Sequence, residues 1–131
     1  MKQREIKFRA LNMNNDWCFG HYFYNEIKET HRILSYFKPS SNKDSWTVFK
    51  DDIRIETLGQ FTGFISRNDK KEVYKGDKIH CYNHDVNEHF EGVVIFQSGC
   101  FVLDMGDGGW DYINKEYITN VIGNIYEDPN Y

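Results

Sequence analysis

Residues 80–89, HCYNHDVNEH, gather His80, Cys81, His84, Asp85, Glu88 and His89 in one short segment. Imidazole, thiolate and carboxylate are the donor types that divalent transition metals use. If the preceding KIHCY is a strand, however, His80 and Cys81 project to opposite faces and cannot join one site without a bulge. His84 with Glu88, or Asp85 with His89, would share a face only on a helical turn. The spacing therefore weighs toward a polar loop of solvated imidazoles. His80, His84 and His89 are the residues a metal would use, but no metal and no other cofactor is expected, and a metal-dependent enzyme on this loop is the second alternative.

Two further patterns are measured against chemistry and fall short. Cys81 or Cys100 beside His80 or His84 has the residue types of a nucleophilic dyad, yet the groups must meet in space and the thiol must be activated. A lone Cys in a strand is more often a small core hydrophobe. The acidic, glycine-rich LDMGDGGW lacks both the ligand spacing and the terminal bidentate Glu of a calcium loop. It also lacks the Gly-Lys-Ser/Thr of a phosphate loop. It reads as a flexible hairpin loop that returns Trp110 to a core or an interface. No catalytic residue is assigned.

Lys2, Arg4, Lys7 and Arg9 form a basic run on which a small barrel could hold single-stranded nucleic acid by stacking and phosphate contacts. Glu5 interrupts it, and the chain carries a formal net charge of −4. Non-specific nucleic-acid affinity comes from Lys and Arg displacing counterions, so the balance disfavours it. A nucleic-acid-binding small β-barrel protein is kept as the first alternative.

The elements that must position these groups are strands nearly throughout. Aromatic residues make up 17% of the 131 residues, a composition that suits pleated, half-buried surfaces. REIKFRAL alternates Ile6, Phe8 and Ala10 with Glu5, Lys7 and Arg9, giving one apolar and one charged face. NMNND is a turn by composition. WCFGHYFY then places Trp17, Phe19, His21 and Phe23 on one face and Cys18, Gly20, Tyr22 and Tyr24 on the other. With Trp17, Phe19 and Phe23 filling the core, Tyr22 and Tyr24 need a cover. Trp17, Tyr22 and Tyr24 are thus the expected interaction surface. The cover is a second copy of the chain, unless the segment HRILSYF supplies it.

NEIKETHRILSYF reads as a second, weaker hairpin turning at Glu29 and Thr30, residues 38–45 as a loop, and TVFKDDIRIETLG as a strand bent at Asp51 and Asp52. QFTGFI and EVYKGDKIHCYN form a hairpin around SRNDKK, with Asn68 and Asp69 as left-handed turn residues. FEGVVIFQSG, CFVLDMG and YITNVIGNIYE complete the set. Phe61, Val73, Tyr74, Ile79, Val94, Phe96, Phe101, Val102, Val121, Ile122 and Ile125 are the expected core or interface positions. Gly76 and Asp77 read as a structural turn, Gly allowing close backbone approach and Asp accepting turn N–H bonds.

The fold class that follows is mainly β: an N-terminal antiparallel hairpin sheet packed with a C-terminal small SH3-like barrel or strongly bent sheet. The length suits a single domain over residues 1–131, or two β submodules meeting near residues 55–60. Three cysteines without CxxC spacing suit a reducing cytoplasm. No apolar run approaches the length of a membrane span, so no membrane partner is expected.

Three blocks, REIKFRA, TLGQFTGF running into EVYKGDKI, and VIGNIYEDP, resemble the YopX-like proteins of phages and prophages. Two positions depart from that pattern. Lys70 stands where the family carries Gly before KE(I/V)Y, which leaves the turn type open, and Leu11 stands where an aromatic often follows FRA. The resemblance implies a mainly β phage or prophage accessory protein in the cytoplasm of a bacterial host. It implies a homo-oligomer or a phage or host protein partner, and it supplies no catalytic residue. The expected role is a binding or self-assembly module.

Overall fold

The computed structural model describes residues 5–37 and 47–127. The chain is mainly β, with two antiparallel sheets, and it divides into two compact units, Met1–Gln60 and Phe61–Tyr131. Lys2, Arg4 and the loop at 38–45 lie outside the described residues. No described helix is long and apolar enough to cross a membrane.

In the first unit, β1 (Phe8–Leu11), β2 (Trp17–Asn25), β3 (Thr30–Phe37) and β4 (Thr47–Asp52) pair in the order β4-β3-β2-β1. The start of β5 (Gly59–Ile65) pairs with β1 through Gly59 and Gln60. Asn12 builds the first turn: its Oδ1 accepts the N–H groups of Asn14 and Asp16, both at 2.9 Å. Asn25 does the same for the second hairpin, accepting from Ile27 at 3.0 Å and Lys28 at 3.2 Å. These are side chains mimicking a backbone turn, which is why Asn recurs where a strand ends.

The core of this unit consists of Ala10, Cys18, Ile33 and Ile53, with Phe8, Tyr22 and Leu58 packed on it. That corrects the expected faces of β2. Ala10 pairs across from Cys18 and Phe8 from Gly20, so the small Cys18 and Gly20 sit over the apolar face of β1, and Tyr22 follows them inward. Phe19 is on the other face and 48% exposed. The charged face of β1 is also corrected: Arg9 is buried, its guanidinium 4.5 Å from the Trp17 ring centroid. A further correction concerns IRIETL, which is no strand. Ile53 makes a lone bridge to Asn12, and Ile55–Thr57 is a 3-10 turn. Thr57 Oγ1 donates to the Arg54 carbonyl at 2.6 Å and accepts the Leu11 N–H at 2.8 Å, tying that turn to β1.

The second unit holds the rest of β5, β6 (Glu72–Tyr74), β7 (Asp77–Asn83), β8 (Glu88–Gln97), β9 (Cys100–Asp104), β10 (Trp110–Tyr112) and β11 (Ile118–Asn124). Five of these form an antiparallel sheet in the order β10-β9-β8-β7-β11. The core of this unit consists of Ile79, Cys81, Val94, Leu103 and Ile118 from this sheet together with Val73 of β6. Register shifts break the β7–β11 ladder at Ile118/Asn120 and at Val121/Gly123, and such irregularities bend a strand and raise its twist. The sheet is therefore the bent form of the expectation; β10 and β11 stand at its two ends and do not pair to close a barrel.

Of the expected core or interface positions, Phe96, Ile122 and Ile125 are exposed and so do not belong to the core. Phe96 pairs with Phe101 beside the β8–β9 turn, ring centroids 5.3 Å apart. That turn is a two-residue connection, Ser98 and Gly99, both at positive φ, as a primed hairpin turn requires. In SRNDKK the left-handed residue is Lys70, at φ 54°, rather than Asn68 or Asp69.

Candidate functional site

His80 and Cys81 do project to opposite faces of β7. Cys81 is buried in the core, and burial pushes its thiol up to about 12. Cys18 is pushed up to about 11, by burial first and then by the Asp51 carboxylate, whose Oδ2 accepts from its thiol at 3.4 Å. Neither thiol has the lowered pKa of a nucleophile. Cys100 is half-buried, its thiol turned to the Gln97 carbonyl at 3.5 Å.

The β7–β8 register decides where the imidazoles go. Tyr82 lies opposite His89, and His80 opposite Glu91, so His80, Tyr82 and His89 share the outer face. Ring centroids are 4.5 Å apart for Tyr82 and His89 and 5.2 Å for His80 and His89. His84, in the connecting turn, meets Tyr82 edge-on at 4.6 Å. Across the sheet, Thr119 Oγ1 donates to the His80 carbonyl at 2.9 Å. Its single proton is thereby used, so the 2.6 Å contact to His80 Nδ1 has the imidazole as donor.

On the far rim, Arg67 Nη1 lies 3.1 Å from His84 Nε2 and 3.1 Å from the Glu116 carbonyl. A guanidinium only donates, so His84 Nε2 is the acceptor of this contact. These groups, with Asn68 and Asn120, enclose an open hollow of about 280 Å³. Among the described residues no group of three or more His, Cys, Asp or Glu is arranged to hold a metal ion. The sequence reading assembled the histidines but missed Tyr82, Arg67 and Thr119. Asn83 and Asn87, which bracket a short turn, were the signal that HCYN and EHFE would pair.

A second surface lies at β10. Trp110 and Tyr112 are 42% and 71% exposed, their rings edge to face at 5.4 Å. The Met105 N–H donates to the Gly109 carbonyl at 3.2 Å. Alternation from that pair makes Asp111 and Leu103 the next bonded pair, which turns the main-chain groups of Trp110 and Tyr112 to the outer edge. There the Tyr112 N–H donates to Asp111 Oδ1 at 2.8 Å. LDMGDGGW thus supplies an edge strand, and Trp110 faces outward.

The remaining edge, β11, is closed. The Arg67 and Asn68 N–H groups donate to the Ile118 and Thr119 carbonyls at 3.0 and 2.9 Å. The Val121 N–H donates to Asp69 Oδ2 at 3.1 Å.

Of the expected surface in the first unit, Tyr22 is covered within the chain. Its hydroxyl lies 2.6 Å from His31 Nδ1, and Tyr24 stacks on the same imidazole at 4.7 Å. HRILSYF, which carries His31, is that cover. Tyr24 keeps 45% exposure, and Trp17 is half-buried beneath Arg9. Lys7 is half-buried, 3.5 Å from Glu5, so Lys7 and Arg9 do not make an exposed basic patch.

Gly76 lies in the connection from β6 to β7, and Asp77 opens β7. Gly76 has φ +95°, and a Cβ there would stand 2.7 Å from Tyr126 Cε2. Its N–H donates to the Val94 carbonyl at 2.8 Å and its carbonyl accepts from Ile125 at 3.0 Å. The buried Asp77 accepts the Tyr74 N–H through Oδ2 at 2.7 Å.

The model of the family described as YopX protein matches residues 7–131 of the chain. No curated protein and no solved structure matches the chain significantly.

Proposed function

The chain belongs to the YopX protein family, and from that premise we propose a phage or prophage accessory protein that works by binding, in the cytoplasm of a bacterial host. It docks to copies of itself through an aromatic surface on β10. The observation that carries this reading is the pair Trp110 and Tyr112, both exposed and stacked edge to face on a strand exposed at all three residues. Trp and Tyr are the side chains most enriched among residues that dominate interface energies.

The mode is side-chain docking rather than strand addition. Asp111 occupies the Tyr112 N–H, and a carboxylate at an open edge is a common way of keeping stray strands off. The closed β11 edge leaves β10 as the end of this sheet where a partner has room. Stable association needs roughly 1,200 Å² of total buried surface, so further residues around the two aromatics take part.

The test is a Trp110→Ser/Tyr112→Ser variant followed by light scattering, with circular dichroism as the control for folding. The expected result is a lower mass than the unchanged chain and the same β spectrum. An unchanged mass contradicts the assignment of the surface.

A further inference from the structure

The outer-face hollow between β7, β8, β11 and the turn after β5 is not used by the β10 surface, and its lining has a consistent chemistry. Tyr82, His80 and His89 present flat rings in one cluster, with centroids 4.5 and 5.2 Å apart. Arg67 stands at the rim, held by His84 Nε2 and the Glu116 carbonyl through Nη1 alone. Its Nε and Nη2 donors have no partner among the described residues. Asn68 Nδ2 donates to Asn120 Oδ1 at 3.2 Å, which leaves Asn68 Oδ1 as an acceptor and Asn120 Nδ2 as a donor at the hollow.

No carboxylate is among the residues that line this hollow. Glu91 is the cross-strand partner of His80 on this face, and Lys78 and Val93 are the next pair along the same face. The volume of about 280 Å³ is just below the range of drug-sized pockets. It takes one planar ring and not a duplex.

From rings for stacking, a fixed guanidinium for an anion and an amide pair for a polar ring edge, we infer that the hollow binds one nucleotide unit. The base extends the stack that Tyr82 and His89 make with one another, and the phosphate meets the Nε and Nη2 side of Arg67. Stacking on aromatic side chains tolerates any base, because every base has a π-face. Bidentate recognition of phosphate is the geometry for which Arg is suited over Lys. The lock between Thr119 and His80 fixes the imidazole plane before the ligand arrives.

A free mononucleotide and one residue of a single-stranded nucleic acid share this chemistry. The experiment is a titration of the full chain with adenosine 5′-monophosphate, adenosine, inorganic phosphate and a short single-stranded oligodeoxyadenylate, read by the imidazole proton resonances in NMR. The expected result is saturable shifts of His80 and His89 with the monophosphate, and weaker binding of adenosine and of phosphate alone. Tyr82→Ala should weaken binding by about fivefold or more, and Arg67→Gln should remove the advantage of the monophosphate over adenosine.

Much tighter binding of the oligomer identifies single-stranded nucleic acid as the source, and equal affinity identifies the free nucleotide. Should Tyr82→Ala fail to fold, His89→Ala, at an exposed position, serves the same purpose. The inference is overturned if neither nucleotide probe gives saturable shifts. It is also overturned if phosphate alone matches the monophosphate, or if binding survives these substitutions unchanged.

Discussion

Asp69 accepts the Val121 N–H through one carboxylate oxygen, at 3.1 Å, and the Ser66 hydroxyl through the other. One side chain thereby ties the turn after β5 to the outer edge of β11. The Arg67 and Asn68 amides extend the same closure. It holds Arg67 at the hollow and leaves β10 as the open end of the sheet.

The Asp69 carboxyl is pushed up by burial, but the Ser66 hydroxyl, the Val121 amide and the Lys71 charge outweigh that and hold it below its ordinary value. A depressed folded-state pKa means that the contribution to stability is present above the ordinary carboxylate range and is lost as pH falls through the lowered value. Asp69→Ala should cost about 1 kcal/mol at neutral pH and much less in acid. Urea unfolding midpoints at neutral and acidic pH check this; an equal cost at both would contradict it.

Lys70 follows in the same turn, at φ 54°. The left-handed region costs a residue with a Cβ about 1–2 kcal/mol, partly offset by the chain entropy that Gly would lose. Lys70→Gly should therefore stabilise the protein by about 0.5–1 kcal/mol, seen as a higher urea midpoint with an unchanged slope. Lys70→Val should lower the midpoint.

Much of this architecture is legible in the sequence, for reasons that differ residue by residue. His80 and Cys81 are separated onto two faces by the two-residue period alone. The turn at Asn12 follows from a side chain that bonds its own backbone. Lys70 marks its own position, since the family resemblance expects Gly at the place where φ is positive. The faces of β2 were not legible, because WCFGHYFY is aromatic on both sides. What decides them is the small Cys18 and Gly20 opposite Ala10 and Phe8, a matter of register with another strand. Arg67, Tyr82 and Thr119 meet the histidines for the same non-local reason.

The three thiols differ in a way that reagents can read. Cys18 and Cys81 are buried and raised to about 11 and about 12 from an ordinary value of 9.0. In the window above that ordinary value the folded chain keeps protons that the unfolded chain releases, so stability falls as pH rises through it. Iodoacetamide at mildly alkaline pH should label Cys100 first, with Cys18 and Cys81 labelled only after denaturant is added, as mass spectrometry of the peptides would show. Early labelling of Cys81 in the native protein would contradict its place in the core.

The most direct test of binding through the β10 aromatics is sedimentation velocity of the unchanged chain from low to high micromolar concentration. A sedimentation coefficient that rises with concentration, and stops rising in Trp110→Ser/Tyr112→Ser, is the predicted result. A single monomeric species at high micromolar concentration would contradict self-association through this surface.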